Sequence, residues 1–314
     1  MRILVMGGAG FIGSNIVDQL LLENHEVGIV DNLLTGKKEN INSKAIFFDM
    51  DLNSPMLERV FETFSPEVVL HLAAQVNVAK SIRDPLLDQE INIRGTVSVL
   101  EKCKKYNVRK IIYSSSAAVY GIPKNEIIDE DHPTDPISFY GISKLVPEYY
   151  IRTYSKLYGL QYSILRYSNV FGPRQDHMGE AGVISIFANQ IINNKEITIF
   201  GNGEQTRDFI YVQDVVNANI SAIHSEVDGI YNISTNCSIT LNDLVRKMDI
   251  QSGKSTEIRY EDERMGDIQH SCLDNRAAIK ALGWKPVYSI EYGLKETINY
   301  HAESSITEKN QTKG

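Results

Sequence analysis

The sequence predicts an α/β fold: a doubly wound parallel sheet of Rossmann type, followed by a smaller α+β domain. Three observations carry that prediction. Short, unbroken apolar runs alternate with longer stretches of helical period through the first half, a glycine-rich turn joins the first run to the first helix, and the texture shortens after Gly172-Pro173-Arg174. The runs at 3–6, 27–30, 46–48, 68–72, 111–113 and 162–165 read as buried parallel strands, apolar at successive positions because both faces of such a sheet are covered. A helix follows the first run from 11 to 22. Met56, Leu57, Val60, Phe61 and Phe64 share one helical face behind Pro55, and Ile91, Val97, Val99 and Leu100 belong to a helix ending near Asn107.

A domain boundary is expected near residue 168. Beyond it the spacing predicts a helix around 183–192, a strand at 197–200, a Gly201-Asn202-Gly203 turn and strands at 209–212 and 230–233. Thr240 with Asp243 three residues on opens another helix, and Gly283-Trp284-Lys285-Pro286 precedes a last one at 290–300. The expected division is 1–167, with 205–228 returning to that first domain, then 168–302, then a polar, flexible tail at 303–314.

At 314 residues the chain is about twice the length expected of one domain, and its 42% apolar and 23% charged residues are ordinary for a globular protein. A net charge of −8 without any Lys/Arg block argues against a nucleic-acid partner, so an anionic ligand must be met by local cations. Three distant cysteines, with no C-x-x-C pair, favour neither a disulfide framework nor a zinc site, and no metal is expected. A reducing cytoplasm is the expected location. The first residues carry no signal-peptide pattern, and no run of about 18 apolar residues predicts a membrane span.

Gly8-Ala9-Gly10-Phe11-Ile12-Gly13 matches G-x-G-x-x-G between a strand and a helix, where glycines let the backbone approach a pyrophosphate and the helix N-terminus faces it. Gly7, Gly10, Phe11, Ile12 and Gly13 are therefore candidate dinucleotide contacts. Asp31, with Asn32 beside it, ends the second strand 18 residues after Gly13. A carboxylate there accepts from ribose hydroxyls and repels a 2′-phosphate, which favours NAD over NADP. Asp51 and Leu52 either border the adenine or start a helix.

Tyr140 and Lys144 stand four residues apart, on one helical face. A tyrosine of pKa about 10 is a poor base at neutral pH, and a neighbouring cation stabilises its phenolate. Ser114-Ser115-Ser116 falls at the carboxyl end of a predicted central strand, where ligands of open α/β sheets gather. Small hydroxyls at that position can bond a sugar oxygen.

Met6 to Gly13, Ser114 to Gly121, the Tyr140/Lys144 pair, Arg166 to Gln175, Gly201 to Phe209 and Arg264-Met265-Gly266-Asp267 together resemble the extended short-chain dehydrogenase/reductase family, and within it the UDP-glucose (UDP-galactose) 4-epimerases. The resemblance implies NAD as cofactor and a UDP-sugar as substrate. It assigns Ser116 and Tyr140 to the sugar O4, and Lys144 to the nicotinamide ribose. Leu72, Ala73, Ala74, Asn92, Ser114 and Tyr167 fall at cofactor-contacting positions, while Asn169, Val183, Phe200, Arg207, Arg264 and Asp267 fall at nucleotide-sugar positions. Two guanidiniums there suit a pyrophosphate in an acidic protein. A homodimer joined through a four-helix bundle is likewise implied.

Members of this family share a first step, oxidation at C4, and differ in the second. Dehydratases carry an Asp-Glu pair where this chain has Ala117 and Ala118, and alanine cannot supply an acid or base for elimination. Within that resemblance, the absence favours 4-epimerisation. Ser271, at the position of a bulky tyrosine in hexose-restricted epimerases, implies room for an N-acetyl group at C2. A UDP-glucuronate 4-epimerase and a non-catalytic NAD sensor on the same fold are the alternatives.

Overall fold

The computed structural model describes residues 1–177, 182–263 and 268–311. Seven parallel strands form the main sheet: β1 (Arg2–Met6), β2 (Glu26–Asp31), β3 (Ile46–Asp49), β4 (Val68–His71), β5 (Lys110–Ser116), β6 (Gln161–Tyr167) and β10 (Gly229–Ile233). Their order is β10-β6-β5-β4-β1-β2-β3, so the winding reverses between β1 and β4. Side chains along β1 alternate between two cores. Ile3 and Val5 pack with α1 (Phe11–Leu22), α8 (Val212–His224) and α10 (Arg276–Leu282), whereas Leu4 and Met6 pack with α2 (Leu57–Phe64), α5 (Gly95–Lys105) and α6 (Phe139–Tyr158). Two apolar faces explain why the strand runs are unbroken in hydrophobicity.

Between β4 and α5 the chain forms two short helices, α3 (Val78–Arg83) and α4 (Pro85–Gln89), and a π turn at Glu90–Arg94. A second layer holds β7 (Asn169–Phe171), β9 (Thr206–Tyr211), β11 (Ser238–Thr240) and β13 (His270–Ser271) in one small sheet, and β8 (Ile197–Phe200) with β12 (Ile258–Glu261) in another. Its own core, around Phe171, Phe187, Leu244, Met248 and Leu294, is closed by α7 (Val183–Ile192), α9 (Leu241–Ser252) and α11 (Ile290–Gln311). Thr240 caps α9, its Oγ1 accepting from the Asp243 N–H at 3.0 Å.

The expected return of 205–228 to the first domain differs in detail. Residues 206–211 stay in the small sheet, while α8 and also β10 and α10 join the main one. Trp284 ties this return down: its Nε1 donates to the Asp214 carbonyl at 2.9 Å. Helix α11 runs on to Gln311, into the stretch from 303 expected to be a flexible tail; His301 just before that stretch is buried, and Ser304 Oγ donates to the Tyr300 carbonyl at 3.0 Å. No helix among the described residues is long and apolar enough to cross a membrane.

Helix α6 is pinned to the sheet by a buried ion pair. Glu148 accepts from Arg166 Nε at 3.0 Å and Nη2 at 2.6 Å, and from Ser115 Oγ at 2.6 Å. Removing one partner strands a buried charge, so Glu148→Ala should lower the unfolding free energy by about 3–5 kcal/mol in urea titration. The Glu148→Met/Arg166→Met double variant, apolar and of similar volume, should recover most of that loss.

Candidate active site

Where the winding reverses, the loops after β1 and β4 diverge and open a cleft of about 330 Å³ at the carboxyl edge of the sheet. Gly7, Gly10, Phe11, Ile12 and Gly13 form one wall, with Asp31 and Asn32 after β2 and Asp51 and Leu52 after β3. Leu72, Ala73 and Ala74 face them, and Ser114, Ser116, Tyr140, Lys144 and Tyr167 close the far end. One cavity thus gathers the predicted cofactor and catalytic residues from seven segments. Asn92 is the exception: it is buried behind the wall, its Nδ2 donating to Ser143 Oγ at 2.8 Å and its Oδ1 accepting from the Gln75 N–H at 2.7 Å. It braces α6 against the β4 loop.

The glycines have different reasons to be glycine. An ideal Cβ on Gly13 would lie 2.1 Å from the Gly7 carbonyl oxygen, and one on Gly7 would lie 2.7 Å from the Ala73 nitrogen. A Cβ on Gly10 would meet only the Gly7 oxygen, at 3.3 Å. Packing therefore requires the first two, whereas the bare side of Gly10 is open to a ligand. No side chain caps the N-terminus of α1, which leaves its first-turn N–H groups for an anion. Asp31 accepts from the N–H groups of Ala9 and Leu33, both at 2.9 Å, and burial raises its pKa from the ordinary carboxylate value.

Three cations to which the sequence motifs assign no role also line the cleft: Lys37, Lys80 and Arg174. Arg174 Nη2 bonds Asp18 at 2.7 Å while its Nη1 is buried without a hydrogen-bond partner. An unspent buried guanidinium donor, an uncapped helix N-terminus and a ribose-suited carboxylate fit an NAD dinucleotide. Their common sequence signal is position: each follows a strand at its carboxyl end or opens the helix beyond it.

Tyr140, Lys144 and Glu148 descend one face of α6. The Tyr140 N–H donates to Ser81 Oγ at 3.1 Å, and Ser143 Oγ donates to the Tyr140 carbonyl at 3.0 Å. Lys144 Nζ lies 4.8 Å from the Tyr113 ring centroid; burial drives its pKa down to about 8, against the pull of Glu148 and Asp88. Ser116 Oγ accepts from the Ala118 N–H at 3.2 Å, keeping its own proton to donate. His71 is no rival base: burial and the Lys144 charge hold its pKa down to about 3.

Of the predicted nucleotide-sugar residues, Asn169, Val183, Phe200, Arg207 and Ser271 lie in the second layer, outside this cleft. Asn169 of β7 is in register with Phe209 of β9, and Ser271 of β13 with Arg207 of β9. Asn169 Nδ2 donates to the Asp208 carbonyl at 3.3 Å, and Arg207 Nη1 to its neighbour's carbonyl, that of Thr206, at 2.9 Å. Val183 opens α7 and Phe200 ends β8. Arg264 and Asp267 lie outside the described residues.

The glycine geometry separates folding from binding. Gly10→Ala should leave the Tm within about 2 °C of the parent but strip NAD from the purified protein, measured as nucleotide released on acid denaturation. Gly13→Ala should cost about 2–4 kcal/mol of stability in urea unfolding.

Known proteins share this architecture. The model of the NAD dependent epimerase/dehydratase family matches residues 3–234. A putative UDP-glucose 4-epimerase of Methanocaldococcus jannaschii is 46% identical over 306 residues, 97% of this chain and 100% of the relative. Among solved structures, the Thermotoga maritima UDP-glucose 4-epimerase with UDP-glucose superposes with a TM-score of 0.95 at 44% identity, covering 97% of this chain and 100% of that one. The Thermus thermophilus UDP-glucose 4-epimerase in complex with NAD gives 0.91 at 40% identity, over 96% and 99% of the two chains. With the fingerprint turn, the ribose carboxylate and the Tyr140/Lys144 pair assembled around one cleft, this chain belongs to the NAD dependent epimerase/dehydratase family, the extended short-chain dehydrogenase/reductases.

Proposed function

We propose that this protein interconverts the C4 epimers of a UDP-hexose, UDP-glucose and UDP-galactose, with NAD as a resident cofactor. The observation that carries the reading is the convergence of Ser116, Tyr140 and Lys144 on the cleft beside a turn that holds Ala117 and Ala118 instead of a carboxylate pair. The UDP-glucose and NAD bound by the Thermotoga and Thermus relatives support it.

In this mechanism NAD supplies the hydride acceptor and donor for C4. Tyr140, as phenolate, takes the O4 proton; the Lys144 ammonium beside it favours that charge. Ser116 donates to O4 and holds it in line. The result is a transient 4-keto sugar, and Tyr140 returns the proton after the hexose has turned over. Asn169, Arg207, Arg264 and Asp267 are the proposed grip on the UDP half, which keeps the keto sugar from escaping. With neither Asp nor Glu at 117 and 118, elimination has no catalyst there. Ser271 in place of a bulky residue extends the reading to UDP-GlcNAc.

A homodimer belongs to the same reading. Along α6, Ile142, Tyr149 and Leu157 are 42%, 55% and 66% exposed, with Leu86 of α4 at 75%. An apolar stripe of that length suits a second copy, α6 against α6.

Purified protein with no added cofactor should convert UDP-galactose to UDP-glucose, read by chromatography, and Tyr140→Phe should lower turnover by about 10²–10⁴-fold. Parallel incubations with UDP-GlcNAc and UDP-glucuronate define the range. Turnover of UDP-glucuronate alone would replace the UDP-hexose assignment, and no product from any of the three would favour the silent sensor.

A further inference from the structure

Three metal-binding groups meet at the edge of the main sheet opposite the cleft. Glu23 is the C-cap of α1, His25 stands just before β2, and His224 is the last residue of α8. Helices α1 and α8 pack side by side, so their carboxyl ends close on one corner, with the His25 and His224 ring centroids 6.3 Å apart. His25 Nε2 lies 3.8 Å from Glu23 Oε2. One ligand atom from each of the three residues falls within 4.8 Å of the other two.

Around a tetrahedral ion with bonds of about 2.1 Å, ligand atoms sit about 3.4 Å apart. Closing the set therefore asks for roughly 1 Å of side-chain movement. The parts that must move are able to: Glu23 and His224 are exposed, whereas the His25 ring is held with only 12% of its side chain exposed. The Met1 ammonium already lies 3.4 Å from His25 Nδ1, and the roughly half negative charge on the last carbonyls of each of the two helices partly offsets it, which leaves His25 Nε2 as the atom facing Glu23. Two imidazoles and one carboxylate are the donors of zinc, nickel and cobalt rather than magnesium or calcium.

We propose that Glu23, His25 and His224 form a site for one divalent transition-metal ion of the zinc class, with water completing its shell. The ion joins the first βα unit to α8 and stabilises the fold by binding the native chain alone. It lies at the opposite edge from Tyr140 and Lys144 and takes no part in their chemistry. None of the three cysteines is involved, and the two histidines are 199 residues apart, so no spacing motif announces the site.

The test uses the full-length, tag-free protein dialysed against chelator and then titrated with zinc chloride by calorimetry and in competition with a chromogenic chelator. One ion should bind per chain with a Kd of about 10 µM or tighter, raising the Tm. His224→Ala, an exposed position, should keep the metal-free Tm but weaken binding at least about tenfold and abolish the zinc-dependent rise. Magnesium should give no rise. The proposal is overturned by the absence of saturable binding below about 100 µM zinc, or by one-to-one binding that His224→Ala leaves unchanged.

Discussion

Glu148 lies one turn beyond Lys144 on α6, and its two oxygens take hydrogen bonds from Ser115 of β5 and Arg166 of β6, all three side chains buried. The same arginine reaches Tyr120 at 3.0 Å, Tyr120 reaches Asn232 of β10 at 2.7 Å, and the Asn232 N–H reaches Glu130 at 2.7 Å. A buried charge tolerates only a narrow set of positions, because losing any partner leaves it unsatisfied in a low-dielectric interior. The network therefore fixes the height and rotation of α6 against the strand that ends in Ser116. At the head of the helix, Gly141 completes the constraint: a Cβ there would lie 2.6 Å from the Ala118 carbonyl oxygen. The first turn of α6, which carries Tyr140, is thereby held close to the turn after Ser116, where a small displacement would spoil a proton transfer.

Burial beneath that constraint also decides the electrostatics. Lys144 is pushed down to about 8 by desolvation and is kept from falling further by Glu148 and Asp88. One carboxylate thus both places the helix and favours the ammonium that the phenolate requires. The protein as a whole carries −8, yet Lys37, Lys80, Lys144 and Arg174 all face the cleft. Local cations and an uncapped helix meet the dinucleotide, as an acidic protein with an anionic ligand must arrange.

Local signals made the first half legible. Unbroken apolar runs gave the parallel strands, the glycine spacing gave the turn before α1, and Tyr140 and Lys144 announced themselves by one helical turn of separation. What escaped depends on contacts between distant residues. Ile230-Tyr231 reads as another strand of the second region until β10 pairs with β6, because hydrophobicity does not say which sheet a strand joins. Residues 206–211 stay in the small sheet for the same reason, since pairing with distant strands places them there. Asn92 was legible as important but its role was not: only the fold shows that its amide is spent on Ser143 and Gln75. Lys80 and Arg174 look like ordinary surface cations in sequence and face the cleft only once the strand ends converge.

The account rests on hydrogen leaving C4 and returning to the same carbon on its other face within one closed site. UDP-galactose labelled with deuterium at C4 tests this directly, with the product followed by NMR and mass spectrometry in ordinary water and the unlabelled sugar followed in deuterated water. The account predicts that UDP-glucose keeps the deuterium at C4 and takes none from solvent. Loss of the label from C4, or solvent deuterium appearing there, would contradict it and point to a deprotonation at carbon that this site is not built to perform.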